Sequence, residues 1–246
     1  MKLRDSNLKL ALKNLFLPKR KNWVVLEPHM GLGDSLICVS LIKTMAFRSP
    51  ETTFLYACLP HYFHSVAWMF KDIANVFPLV VSSGREARQY AQFKNVRYEP
   101  VGIKNVDIQK FDQSFYQQHQ IPFETRWELA KTSAGPKSRE LFEKLNPKNI
   151  AYMLVCKTDS SNRSHQMNIS NEENLLIIEV EPKTNNIFDW TELVLAAKEI
   201  HTIDTAFIHL VENILDVNTN KKLCFHKIRQ SPTEFTRRLP WNEILY

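Results

Sequence analysis

Two short stretches carry the residues whose types and spacing could do chemistry. In the first, Val24-Val25-Leu26 runs through Glu27-Pro28-His29-Met30 into the turn Gly31-Leu32-Gly33, followed by Asp34 and Ser35. In the second, Ile200-His201-Thr202-Ile203 ends on Asp204-Thr205 and continues as Ala206-Phe207-Ile208-His209-Leu210. Each reads as a strand that opens directly into a helix. The first amides of a helix have no partner within it, and with the helix dipole they favour anions. In open α/β sheets, ligands bind at these carboxyl ends of strands. Two such places in one chain predict two α/β halves facing a shared cleft.

Gly31 and Gly33 are two of only 5 glycines in 246 residues. Glycine permits a tight turn and a close approach of backbone to a neighbour. Asp34 falls at or next to the helix N-cap: it is either an ordinary cap, worth about 1 kcal/mol, or a carboxylate at the lip of the cleft. A carboxylate at a helix start is expected to have a lowered pKa. Thr205 can cap the second helix, and its amides from Ala206 to Ile208 would suit a diphosphate. His209, one turn in, is either a packed histidine or part of that site. Between the two stretches, Lys157-Thr158-Asp159-Ser160-Ser161-Asn162-Arg163 forms a polar loop. It is either simply solvated, or its Lys157 and Arg163 neutralise a leaving phosphate.

Other chemistries lack their residues. There is no P-loop, no Gly-x-Ser-x-Gly elbow and no complete Gly-x-Gly-x-x-Gly fingerprint, since Leu36 stands at its last position. No Asp-x-Asp pair could hold a metal–diphosphate, and His61 and His64 have no evident third ligand, so neither metal nor cofactor is expected.

The elements that must position these residues alternate along the chain. Strands are predicted over 23–27, 52–57, 75–81, 150–156, 175–180, 200–203 and 222–225. Helices are predicted over 34–47, 60–71, 85–93, 190–198 and 205–215. Such alternation signals βαβ units and parallel sheets. Residues 111–146, broken at Pro122 and Gly135-Pro136, read as a helical connector, and the basic tail 229–246 as a last helix or an extended wrap. The fold class is therefore α/β, with a basic amphipathic segment at 1–22, an acceptor-side domain at 23–130 and a donor-side domain at 131–246.

The hydrophobic fraction of 44% and charged fraction of 24% are those of a globular protein. A formal charge of +6 favours anionic partners, but its cations are scattered and no nucleic-acid motif occurs. The four cysteines, Cys38, Cys58, Cys156 and Cys224, have no metal spacing and read as buried free thiols of a reducing compartment. No signal peptide and no apolar run near the ~20 residues of a membrane span is present. A cytoplasmic protein is expected. Leu8, Leu12, Leu15 and Phe16 among basic residues allow a docked helix or a peripheral membrane contact through 1–21.

Together the two motifs resemble the heptosyltransferase-like branch of the GT-B glycosyltransferases. Gly31-Leu32-Gly33-Asp34-Ser35-Leu36 is similar to that family's N-terminal glycine–Asp loop. Asp204-Thr205-Ala206-Phe207-Ile208-His209-Leu210 is similar to its donor-binding Asp-Thr-Gly-x-x-His-Leu element, with Asn186-Ile187-Phe188-Asp189-Trp190 leading into it. Alanine replaces the family glycine at 206, and the chain is shorter than typical members, implying a compact version. The resemblance implies a GT-B-like fold and a metal-independent, inverting transfer from a nucleotide-sugar donor to an acceptor hydroxyl. Asp34 would be the base, with Asp204, Thr205, Ala206, His209, Lys157 and Arg163 at the donor. Gly31, Gly33 and Ser35 would form the acceptor-side loop. A non-catalytic nucleotide- or sugar-binding or interaction protein of the same fold is the alternative.

Overall fold

The computed structural model describes residues 22–228 and 233–246. The expected amphipathic helix over 1–21, and with it the membrane contact, lies outside the described residues.

The chain begins with β1 (Trp23–Pro28), whose six residues are all buried. An uninterrupted apolar run is what a strand covered on both faces requires. It pairs in parallel with β2 (Thr53–Cys58) on one side and β4 (Arg97–Val101) on the other, and β2 pairs with β3 (Val76–Val80). The sheet order is β3-β2-β1-β4. The sequence did not announce β4. Its residues Arg-Tyr-Glu-Pro-Val lie at a sheet edge, where Pro100 is tolerated and one side meets water.

The second sheet contains β5 (Tyr152–Cys156), β6 (Leu176–Glu179), β7 (Glu199–Thr202), β8 (Lys222–Lys227) and β9 (Asn242–Leu245). Its order is β6-β5-β7-β8-β9, every pair parallel. The strand order reverses between β1 and β4 in one sheet and between β5 and β7 in the other. Such switch points leave a crevice beyond the strand ends, and the loops after β1, β5 and β7 are those singled out by sequence.

The helices on this frame are α1 (Leu32–Ile37), α2 (Val39–Arg48), α3 (Phe63–Met69), α4 (Gly84–Lys94), α5 (Phe111–Gln118), α6 (Ser138–Leu145), α7 (Thr191–Ala196) and α8 (Ala206–Ile214). The single helix expected over 34–47 is broken at Cys38, which has φ −81° and ψ −4°. The break leaves α1 free to lie on α8. The expected connector 111–146 does hold two helices, α5 and α6, separated by a 3-10 turn at Phe123–Trp127.

One hydrophobic core runs through both sheets. It includes Leu26, Leu36 and Phe54 of the first and Leu154, Ile200, Phe207 and Leu210 of the second. Within the described residues the tail takes the extended course of the two expected, with no helix over 233–246. It crosses to the first sheet's helices, where Phe111 N–H donates to Glu234 O (3.2 Å) and Glu234 N–H to Ile108 O (3.0 Å), then returns as β9. Residues 233–241 thus form a strap between the two sheets.

Candidate active site

The site grows from the junction of α1 and α8. Gly31 is the N-cap of α1, and Ser35 Oγ donates to Gly31 O (3.1 Å). Asp34 is the third helical residue, in the first turn, rather than the cap. Its side chain folds back so far that a Cβ on Gly31 would fall on Asp34 Oδ2. The other glycine answers to the opposite helix. A Cβ on Gly33 would stand 3.1 Å from His209 Cδ2 and 3.6 Å from Ala206 Cα. Gly31 therefore makes room for a carboxylate, and Gly33 for α8.

Asp34 departs from expectation in its acidity. Burial is the dominant influence and raises its pKa above the ordinary value. His29 and a backbone N–H pull it down, and the Asp204 carboxylate pushes it up again. The helix start was expected to lower it, but desolvation wins because the side chain is turned into the junction. The mutual influence of Asp34 and Asp204 puts the two motif acids in one electrostatic neighbourhood. The Tyr62 phenol, also raised by burial and by Asp34, belongs to it too.

His29, at the end of β1, is fixed at the first switch point. Its Nε2 hydrogen-bonds to Gly102 O beyond β4 (2.5 Å), and its ring stacks on Phe115 with centroids 5.5 Å apart. Gly102 has φ +72°, and any Cβ there would strike the Phe115 ring.

On the other side, Thr205 caps α8 by accepting from Phe207 N–H (3.3 Å). Ala206 is its first helical residue and has no positive φ, so the backbone itself does not demand glycine there. Cys156 Sγ, at the end of β5, lies 3.6 Å from Thr205 Oγ1. His209 is buried with its Nδ1 unpartnered, and Phe235 packs edge-on against it at 4.6 Å. Burial, aided by the Arg126 charge, pushes its pKa well below the usual imidazole value, so the ring is neutral. Asn213 Nδ2 donates to Leu36 O (3.0 Å), tying α8 to α1.

The structure gathers Gly31, Gly33, Asp34, Ser35, Asp204, Thr205, Ala206 and His209 at this junction. It does not deliver the two cations in the same way. Lys157 Nζ is 2.6 Å from Glu179 Oε1. Arg163 pairs at 3.2 Å with Asp159, which also accepts from His165 (3.0 Å) and from the Ser161 and Arg163 amides. Burial opposes the Asp159 charge, but these hydrogen bonds and Arg163 outweigh it and hold the carboxyl well below its usual range.

Sequence reasoning missed His29, Tyr62, Asn213 and above all Arg126. The last is 1% exposed, pairs with the fully buried Asp112 and donates to Thr236 O (3.1 Å). Its Nε and Nη2 have no partner. Proximity of His29 to the glycine turn was a signal, whereas Arg126 stands in Phe-Glu-Thr-Arg-Trp, which carries none. Among the described residues, no His, Cys, Asp or Glu side chains gather as a metal-ligand set, and no helix is long and apolar enough to cross a membrane. All four cysteines are buried and unpaired.

The fold, two parallel sheets with helices, is shared with solved structures of glycosyltransferases. One such structure is the ADP-heptose LPS heptosyltransferase II of E. coli, similar at a TM-score of 0.52 and 12% identity over 91% of this chain and 90% of that one. Another is a family 9 glycosyl transferase of Veillonella parvula, at TM-score 0.52 and 9% identity over 93% and 88%. No protein-family model and no curated protein matches the sequence.

Proposed function

We propose that the protein is a glycosyltransferase that moves a sugar from a nucleotide-sugar donor to an acceptor hydroxyl. The observation that carries this reading is the half-buried Asp34 carboxylate, turned over Gly31 and raised in pKa by desolvation, beside the N-terminus of α8. A raised carboxylate is a better base than an exposed one. In this reading Asp34 takes the proton of the acceptor hydroxyl as it attacks the anomeric carbon, inverting it in a single displacement. The departing diphosphate rests on the amides following Thr205. Asp204 and the neutral His209 orient the donor, and Lys157 or Arg163 leaves its carboxylate partner to meet the phosphates, in place of a metal. Residues 23–130 supply the acceptor side and 131–246 the donor side, and the protein works in the cytoplasm. The fold shared with two glycosyltransferase structures supports this reading.

A second reading, a binding protein that has lost catalysis, draws on the closeness of Gly33 to Ala206 and on alanine in the family glycine's place. One variant separates the two. Because burial raises the Asp34 pKa, the ionised side chain burdens the native state at neutral pH: its favourable contribution is present in acid and lost as pH rises through the folded value. Asp34→Asn should therefore raise Tm at pH 7. In an enzyme it should also lower nucleoside diphosphate release from the donor by about 10²–10⁴-fold, while thermal stabilisation by that donor persists with EDTA present. Unchanged turnover would remove Asp34 as base. No stabilisation by any nucleotide sugar would shift the reading to the interaction protein.

A further inference from the structure

Away from the proposed site, one face of the second sheet holds a chain of hydrogen bonds whose direction is fixed. The Asn168 amide donates to Tyr246 Oη (2.7 Å), and the ionised Glu199 at the other end orders the bonds between neutral rings so that the phenol donates to His226 Nδ1 (2.7 Å). His226 must then carry its proton on Nε2 and donate to His201 Nδ1 (3.0 Å). His201 in turn donates from Nε2 to Glu199 Oε2 (3.2 Å), where Lys222 Nζ also ends (3.0 Å). With neutral rings and an ionised Glu199, no other arrangement satisfies every atom.

The chain joins β7, through Glu199 and His201, and β8, through His226, to Tyr246, the residue directly after β9. Both imidazoles are buried. The titratable groups around them are the charged Glu199 on β7 and Lys222 on β8, Glu172 near Lys222, and the Cys224 thiol on β8, which burial keeps neutral. At the β9 edge, Glu243 pairs with Lys227 (2.7 Å) and with Arg237. A second proton on His226 would force the Tyr246 hydroxyl to turn and accept instead of donate, and would place a positive charge on a ring only 1% exposed.

We propose that this Glu199–His201–His226–Tyr246 chain is a proton-released latch on the strap between the two sheets. The strap carries Phe235 against His209, Thr236 against Asp112 and Arg126, and Arg238 and Trp241 against Glu212. Freeing β9 removes the anchor at the strap's far end and loosens the cover over His209. The inference does not depend on the transferase reading.

The sign follows from burial. Desolvation, with His201 beside it, lowers the His226 pKa to about 4, whereas an imidazole exposed by departure of β9 regains about 6.5. Between those values the open form binds the extra proton and the closed form does not, so acid favours opening. One proton taken up corresponds to about a tenfold rise in opening per pH unit. Glu243, whose own pKa is lowered chiefly by its bond to Lys227, keeps its charge through the upper part of that window and does not contribute there.

The test is amide hydrogen exchange on the full chain between pH 7.5 and 4.5, corrected for intrinsic rates. Opening of β9 should be flat above pH 7 and rise about tenfold per unit below about 6.5, while β1 and β5 keep their protection. His226→Gln, which offers an acceptor and a donor at matching positions, should flatten the rise. A pH-independent β9, or loss of protection in β1 and β5 in step with it, would overturn the latch. Without any variant, an NMR titration of the His226 ring decides as well. Titration well below pH 6 with β9 in place supports the latch, and an ordinary value near 6.5 overturns it.

Discussion

Replacing Gly31 by alanine should leave the fold intact and damage the proposed transfer reaction. Gly31 has φ −76° and ψ 148°, a conformation open to any L-residue. Alanine there restricts the unfolded chain and stabilises by about 0.4–1 kcal/mol. Against this stands the new Cβ, which would occupy the place of Asp34 Oδ2. That oxygen is the free end of a flexible side chain, so the carboxylate swings aside at a cost of about 0.5–1.5 kcal/mol for an off-rotamer position. The two terms nearly cancel. In a protein of this size a residual 1 kcal/mol moves Tm by about 2–4 °C. In the proposed reaction turnover has no such compensation, because the base it assigns to Asp34, displaced by about 1 Å, loses on the order of 10²-fold. Thermal melting and nucleoside diphosphate release, measured on the same preparation, check both halves. A collapse in stability would mean that Gly31 serves the backbone and not Asp34. Full turnover at unchanged stability would refute the claim that Gly31 sets the position of a catalytic carboxylate.

The neighbouring glycine should behave in the opposite way. Gly33→Val places atoms against His209 and Ala206, and overpacking of this kind should cost about 1–3 kcal/mol, read as a lower urea midpoint. Arg126→Met strands the fully buried Asp112 carboxylate and should destabilise by about 3–5 kcal/mol, whereas a loss under 1 kcal/mol would contradict a true buried pair. His209 should stay neutral through the range where histidines ordinarily titrate, and an NMR titration near pH 6.5 would disprove its burial. Because its native value is depressed, the unfolded chain takes up that proton first, and stability declines as pH falls below about 6.5. His209→Gln should make the decline shallower.

The turns of the candidate site are legible in sequence where local rules govern. Apolar runs such as Trp23-Val24-Val25-Leu26 can only be buried strands, and Gly31, Gly33, Asp204 and Thr205 mark the turns after them. Long-range features were hidden. β4 and β9 are edge strands with polar faces and no periodic signal, and they exist because β1 and β8 offer them a free side. The break at Cys38 follows from how α1 and α2 pack, not from a helix-breaking residue. Sequence predicts a lowered pKa for Asp34 because the helix start is visible in it, while the desolvation that overrides it is not. Lys157 and Arg163 were singled out as cations, but sequence could not show Glu179 and Asp159 beside them.

The path of residues 233–246 sets an order of events during biosynthesis. Thr236 closes contacts with Asp112 and Arg126 across 124 and 110 residues of chain. Contacts of such high sequence separation form late, because the loop must close before they contribute. On a ribosome delivering about 5–20 residues per second, both sheets are nearly whole before the strap emerges. Until it does, Arg126 and Asp112 lack their third partner and His209 lacks the Phe235 ring that covers it. The nascent protein thus passes through a stage in which the junction of α1 and α8 is assembled and still uncovered, the interval in which a chaperone or an early ligand would meet it.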